Sequence, residues 1–136
     1  MTTRADLVEA FIPQSPFVGH LGMRLTDLEQ DRVEMVLPFS DQLATIGDVV
    51  HGGAISTLID TAGMAAAWAD SADPANGGGG STIGLSVDFV AAARGEDLTA
   101  RASVVRRGRS LCFCEVDVTG EDGQTVAKGL VTHRFA

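Results

Sequence analysis

The sequence predicts an α+β fold: a curved antiparallel β-sheet wrapped around one long central helix. Three observations lead there. Residues 52–69 carry apolar side chains at helical spacing. Leu58, Ala62, Ala65 and Ala69 form one stripe, and Ile55, Ile59, Met64 and Ala66 cover much of the rest. A helix that is apolar nearly all round belongs inside a protein. Six further stretches alternate with a period of two, two before the helix and four after it, which is the mark of strands with one buried face. One helix cannot cover both faces of a six-stranded sheet. The sheet therefore has to curl around it, and the edges or faces left open favour assembly with further copies.

The chain has 136 residues, the length of a single domain over 1–136. At 45% hydrophobic it holds enough apolar material for a full core. A net charge of −8 argues against a broad nucleic-acid or membrane surface, so an anionic ligand would have to meet a local basic patch. No run is long and apolar enough to span a bilayer. The first residues, MTTRADLVEAF, lack the apolar core of a secretion signal, which makes the cytoplasm the expected location. Cys112 and Cys114 lie two apart in a strand pattern and so point to one face. They read as reduced thiols packed in a sheet, not as a disulfide or a metal site.

The elements follow in order. Residues 5–12 carry Leu7, Ala10 and Phe11 at the spacing of a short amphipathic helix, which Pro13 and Pro16 stop. From Leu21, alternation through Met23 and Leu25 predicts a strand to about residue 28. Residues 32–38 alternate again through Val33, Met35 and Leu37; the polar Glu29-Gln30-Asp31 is the turn between them and Pro38 the exit. The central helix runs from Gly52 to Ala69. Gly63 inside it is about 1 kcal/mol worse than alanine, which predicts a close approach by another backbone. Residues 70–80, DSADPANGGGG, read as a loop. Strands are expected at 82–92, 98–105, 110–119 and 125–135, with turns at Arg94-Gly95-Glu96, Arg107-Gly108-Arg109 and Asp122-Gly123. In the first of these, Ile83, Leu85, Val87 and Phe89 are expected to face inward.

Two features of the central stretch carry chemistry. His51-Gly52-Gly53 leads straight into the helix. A helix N-terminus presents unpaired N–H groups and partial positive charge, and glycine lets a ligand oxygen come close. That suits a carbonyl oxygen gaining negative charge during acyl transfer. Asp60 is the one charged side chain between His51 and Asp70. Burying it without a partner is expensive. At the mouth of a cleft it would serve as a general base; bonded to backbone or to a sheet hydroxyl it would be structural. The residues alone leave both readings open.

The stretch VVHGGAISTLIDTAGMAAAWA, with an acid eight residues after its first glycine, resembles the active-site segment of the hotdog-fold acyl-coenzyme A thioesterases, in their phenylacetate-pathway (PaaI-like) branch. TIGLSVDF and VVRRGRSLCFCEVDVTGEDGQTVAKGLVT resemble that family's later strands, so the similarity covers residues 18–134. The resemblance implies a hotdog fold and hydrolysis of an acyl-CoA thioester to free acid and coenzyme A. Gly52 would give the N–H that polarises the thioester carbonyl. Asp60, reaching across a dimer interface from the partner subunit, would activate water or attack the carbonyl. Thr82 would position the water, and His51 would brace the loop. Gly53 and Thr45 fall on the substrate side; Thr45 stands where many relatives carry Asn or Gln, a shorter reach. Met64 stands where the 4-hydroxybenzoyl-type arrangement places a threonine, which favours the Thr82 arrangement.

Arg106, Arg107 and Arg109 form the densest basic cluster in an acidic chain, and guanidinium forks suit phosphate oxygens. In the resembling family this region lies near the coenzyme A phosphates; the bland alternative is a solvated turn. Arg94 is a weaker candidate of the same kind. Trp68 and Phe89 read as core or acyl-pocket walls. The histidines are scattered, no metal-ligand spacing occurs, and Gly77–Gly80 lacks the lysine of a P-loop, so no metal and no cofactor is expected beyond the coenzyme A of the substrate. A homodimer or homotetramer with active sites at the dimer interface is the expected assembly. Two rivals stand beside hydrolysis: a hydratase or dehydratase acting on acyl thioesters through a His–acid pair, and a non-catalytic acyl-CoA-binding module.

Overall fold

Thr3 opens the first helix. Its side chain accepts from the Asp6 N–H while the Asp6 carboxylate accepts from the Thr3 N–H, a reciprocal cap that fixes α1 (Arg4–Phe11). A single 3₁₀ turn (Ile12–Gln14) follows. Pro16 does not end the helical region, as the sequence suggests; it begins a second short helix, α2 (Pro16–Leu21). At the first position of a helix the N–H that proline lacks would be unpaired anyway. Gly22, with φ at 76°, closes α2, so the first strand begins at Arg24 and not at Leu21. The structure, a computed structural model, describes residues 1–74 and 78–136. The middle of the expected 70–80 loop, and Gly77 with it, lies outside the described residues.

Six strands build the sheet: β1 (Arg24–Glu29), β2 (Arg32–Leu37), then, in chain order after the long helix, β5 (Gly80–Phe89), β6 (Leu98–Arg107), β7 (Leu111–Thr119) and β8 (Thr125–Phe135). Their spatial order is β1-β2-β6-β7-β8-β5, and every pair is antiparallel. The long helix is α3 (Gly52–Ala67), which packs across β2, β6, β7, β8 and β5. A small hairpin, β3 (Ala44–Ile46) and β4 (Val49–Val50), turns at Gly47 with φ at 57° and delivers the chain to α3. It escapes notice in the sequence because strands of two or three residues are too short to alternate.

Leu58, Ile59, Ala62, Ala65 and Ala66 of α3 are fully buried against Met35, Leu37, Leu98, Val116, Val118 and Val131 of the sheet. The alanines matter as much as the leucines, because they let the helix axis approach the strands. Gly63 is where the approach is tightest. A Cβ there would stand 2.6 Å from Cβ of Val131. The close neighbour is therefore a valine side chain and not the backbone that the glycine suggested. Cys112 and Cys114 are buried free thiols with their sulfurs 3.9 Å apart.

The edge strand β5 departs from a simple alternation. Its register against β8 shifts between Thr82 and Gly84. Thr82 stands opposite His133, and Leu85, Val87 and Phe89 stand opposite Val131, Gly129 and Ala127. Directly opposed residues share a face, so Thr82 as well as Leu85, Val87 and Phe89 look toward α3. Direction does not bring burial here. Leu85 is 44% and Phe89 55% exposed, and Ile83, at the shift itself, is also open to solvent. The expectation of an inward, covered row fails because β5 has a neighbour on one side only.

Candidate active site

His51 caps α3. Its Nδ1 accepts from the Gly53 N–H at 2.7 Å, and its carbonyl accepts from Ala54 and Ile55. The Gly52 N–H has no acceptor among the described residues. Ser56 and Thr57 donate their hydroxyls back to the carbonyls of Gly52 and Gly53, which ties down the first turn. The Phe89 ring lies over this end: a Cβ added to Gly52 would stand 3.1 Å from Cζ of Phe89. The sequence marks both glycines for substrate. The structure separates them: the Gly53 N–H is held by His51, and the Gly52 N–H is the free donor. His51 itself does what a bracing loop histidine does.

Asp60 sits two turns further on and is half-buried. The Thr82 hydroxyl donates to Asp60 Oδ1 at 2.6 Å. No ion pair reaches Asp60 among the described residues. Its second oxygen therefore stays available as an acceptor. Gly52 and Asp60 are eight residues apart on one helix, about 12 Å at about 1.5 Å per residue.

Met64 and Trp68 continue the Asp60 stripe one and two turns on. The Trp68 indole N–H donates to Nε2 of His133 at 2.8 Å, with both side chains buried. His133 stands opposite Thr82 in the sheet, so Asp60 and Trp68 reach neighbouring strands side by side. Nδ1 of His133 has no hydrogen-bond partner among the described residues. Burial pushes the His133 pKa below the ordinary 6.5; the Asp60 charge opposes this and Arg4 adds to it. The sequence passes over His133 as one of three scattered histidines. The signal was there: it shares the alternation of Val131 and Phe135, both buried. A cavity of about 380 Å³ opens beside this stripe, under α1.

The arginine cluster divides. Arg107 is not a free anion-binding group. It points inward from β6, opposite Cys112, and bonds Asp31 Oδ1 at 2.7 Å, Asp70 at 3.0 Å and the carbonyl of Ala67 at 2.7 Å. It thereby caps the negative end of α3 and holds the β1–β2 turn against it. This corrects the phosphate role expected for it. Arg106 stands opposite the exposed Phe113, and Arg106 and Arg109 are both exposed without an ion pair among the described residues. Arg94 pairs with Asp48 at 3.6 Å. Thr45 is exposed in β3 and makes no side-chain hydrogen bond among the described residues.

The antiparallel sheet wrapped on one enclosed helix has the architecture of a hotdog fold. The chain belongs to the Thioesterase superfamily, whose pattern it matches over residues 47–127. It is 33% identical over 117 residues to a protein of Halobacterium salinarum that bears an esterase name, covering 84% of this chain and 76% of that one. It is 28% identical to the medium/long-chain acyl-CoA thioesterase YigI of Escherichia coli, over 92% of this chain and 88% of the relative. A solved thioesterase family protein from Silicibacter pomeroyi superposes with a TM-score of 0.87 at 28% identity, over 96% of each chain. These likenesses support the hotdog fold and thioesterase activity in general. No described helix is long and apolar enough to cross a membrane.

Proposed function

We propose that the protein hydrolyses acyl-CoA thioesters in the manner of the PaaI-like branch, in the cytoplasm, with each active site shared between two copies of the chain. One observation carries this reading. The unpaired Gly52 N–H and the Asp60–Thr82 pair are two turns apart on one helix, too far to act on one carbonyl. A thioester carbon needs an oxyanion donor and a base within about 3 Å of its reacting atoms. A second copy, related by a two-fold axis, supplies the missing half: Gly52 of one protomer works with Asp60 and Thr82 of its partner. The open edge of β5, with Leu85 and Phe89 exposed on its helix side, is the surface such a dimer would cover. Two dimers would make the tetramer.

In this site the Gly52 N–H and the α3 dipole stabilise the charge that grows on the thioester oxygen. The Asp60 carboxylate takes a proton from water, or attacks the carbonyl itself, and Thr82 fixes its orientation. The thiolate of coenzyme A leaves readily, so no metal is required. Arg106 and Arg109, the two guanidiniums of the cluster without an ion pair among the described residues, would meet phosphate oxygens. Among the described residues His51 makes no hydrogen bond to a carboxylate; its Nδ1 accepts from the Gly53 N–H.

Mixing two inactive variants tests the shared site. Asp60→Asn keeps Gly52; Gly52→Pro removes the N–H at the first helical position, where the Phe89 ring, 3.1 Å from an added Cβ, has to give way. Each homodimer should release little thiol from acyl-CoA. Co-refolded heterodimers carry one intact site, so a statistical mixture should regain roughly a quarter of the wild-type rate. No recovery, with heterodimers shown to form, would place the whole site in one chain. Wild-type protein that binds acyl-CoA and never turns it over would make it a binding module.

A further inference from the structure

The cavity beside the Asp60 stripe belongs neither to the oxyanion donor nor to the base, and its walls come from distant parts of the chain. Leu7, Val8 and Phe11 of α1 form one wall, Met64 and Trp68 of α3 the floor, and the backbone of Gly78–Gly80 the far side. Its position follows from the site. Met64 is one helical turn from Asp60, and Gly80 is two residues from Thr82, so two of the lining residues are near neighbours of the Asp60–Thr82 bond. Its width follows from the glycines. A Cβ at Gly78 would stand 2.7 Å from Leu7 Cδ1 and 3.0 Å from Trp68. Any side chain there would close the space.

The chemistry of the walls is uniform. Among the described residues, the one side-chain nitrogen or oxygen on the lining is Trp68 Nε1, already given to His133 at 2.8 Å. The walls therefore offer hydrocarbon contact and no free side-chain hydrogen bond to whatever enters. α1 is held in place as a wall: the N–H groups of Arg4 and Ala5 bond the carbonyls of Ala72 and Asp70, and the Arg4 guanidinium lies 3.6 Å above the Phe135 ring while pairing with Asp70. Phe11, at the last turn of α1, lines the cavity and is half open to solvent.

We propose that this cavity holds the acyl group, that it selects an unsubstituted hydrocarbon acyl chain over a hydroxylated aromatic one, and that Leu7 and Phe11 set the length accepted. The proposal rests on the thioesterase reading above and adds to it the class of acyl group and the residues that choose it. A phenolic hydroxyl carried into this space loses water and finds no free side-chain partner, only the backbone of Gly78–Gly80, whereas an alkyl or phenyl group loses nothing.

Thiol release from matched substrates tests it. Phenylacetyl-CoA and 4-hydroxyphenylacetyl-CoA differ by one hydroxyl, and kcat/KM should favour the first by roughly ten- to a hundredfold. Octanoyl-CoA should rank with phenylacetyl-CoA, and acetyl-CoA, which does not reach the cavity, should rank low. Leu7→Phe should depress octanoyl-CoA turnover several-fold and leave acetyl-CoA turnover unchanged. Phe11→Ala, at an exposed position, should move the optimum to longer chains. Equal or better use of the hydroxylated substrate, or a Leu7→Phe loss uniform across acyl groups, would overturn the proposal. Binding separates this from the reaction itself. Trp68 is the one tryptophan of the chain, and its fluorescence should respond to octanoyl-CoA and not to free coenzyme A. That response without thiol release would retain the cavity and reject hydrolysis; thiol release with no Trp68 response would reject the cavity and retain hydrolysis.

Discussion

The Thr82 hydroxyl donates to Asp60 Oδ1 at 2.6 Å, linking the edge strand to the middle of the buried helix across 22 residues of sequence. A hydrogen bond to a carboxylate from a hydroxyl is short and strong, and it orients the acceptor as well as holding it. With no ion pair to Asp60 among the described residues, this bond is the main restraint on its side chain. Asp60→Asn should lower kcat on acyl-CoA by about 10²–10⁴, the range for loss of a general base. Thr82→Val should lower kcat by about tenfold, as expected for a lost hydrogen bond to a charged group, while Thr82→Ser keeps most of the rate. A Thr82→Val enzyme with unchanged kcat would show that the bond is structural only.

Arg107 and its cluster neighbours should behave in opposite ways. Arg107→Met removes partners from Asp31, from the buried Asp70 and from the last carbonyls of α3. Urea unfolding should register a loss of about 2–3 kcal/mol, eased by the Arg4 pair that Asp70 retains. KM for acyl-CoA should stay put. Arg106→Ala and Arg109→Ala should do the reverse, raising KM with stability within about 0.5 kcal/mol of the wild type. A raised KM in a normally stable Arg107→Met protein would return that residue to the substrate.

Gly63→Ala puts a methyl group against Val131, whose branched Cβ is fixed by the strand. Overpacking of this kind destabilises by about 1–3 kcal/mol. Val131→Ala alone leaves a hole. The double variant should be more stable than the sum of the two losses, and a double-mutant cycle in urea measures that coupling. Strict additivity would mean that the two residues do not touch.

The pH dependence of stability should carry the mark of His133. Its folded pKa lies below 6.5 because burial disfavours the cation. The folded state then binds fewer protons than the unfolded chain at pH values under 6.5. Its contribution is intact above that value and is lost as pH falls from there toward the depressed folded pKa, at a slope of at most about 1.4 kcal/mol per pH unit. His133→Gln, which keeps an acceptor for Trp68 and cannot titrate, should flatten this part of the Tm-against-pH curve. An unchanged slope between pH 6.5 and 5 would assign the acid sensitivity to the carboxylates.

Local patterns made much of the molecule legible. Alternation through Val33, Met35 and Leu37, and again from Leu98 to Phe135, gave strands because one face of each is buried against a single helix. The His51-Gly52-Gly53 entry and the isolated Asp60 marked a candidate site because a helix N-terminus and a lone acid in an apolar run are each hard to explain otherwise. Pro16 misled because proline stops a helix from inside and starts one at its first position, and the residue alone does not say which.

By itself the sequence determined the sheet wrapped on a buried helix, the acid on that helix and the glycine at its start, since each follows from side chains close along the chain. Only the tertiary structure decided three things. Arg107 left the basic cluster for the end of α3 because Asp31 and Asp70 converge there from remote loops. Of the two glycine N–H groups, only that of Gly52 has no acceptor among the described residues, because the His51 ring folds back onto Gly53. The cavity beside Trp68 took α1 as its wall, although Leu7 and Met64 are far apart in sequence. Spacing along a chain fixes which face a residue takes, but contacts between distant segments depend on how those faces meet.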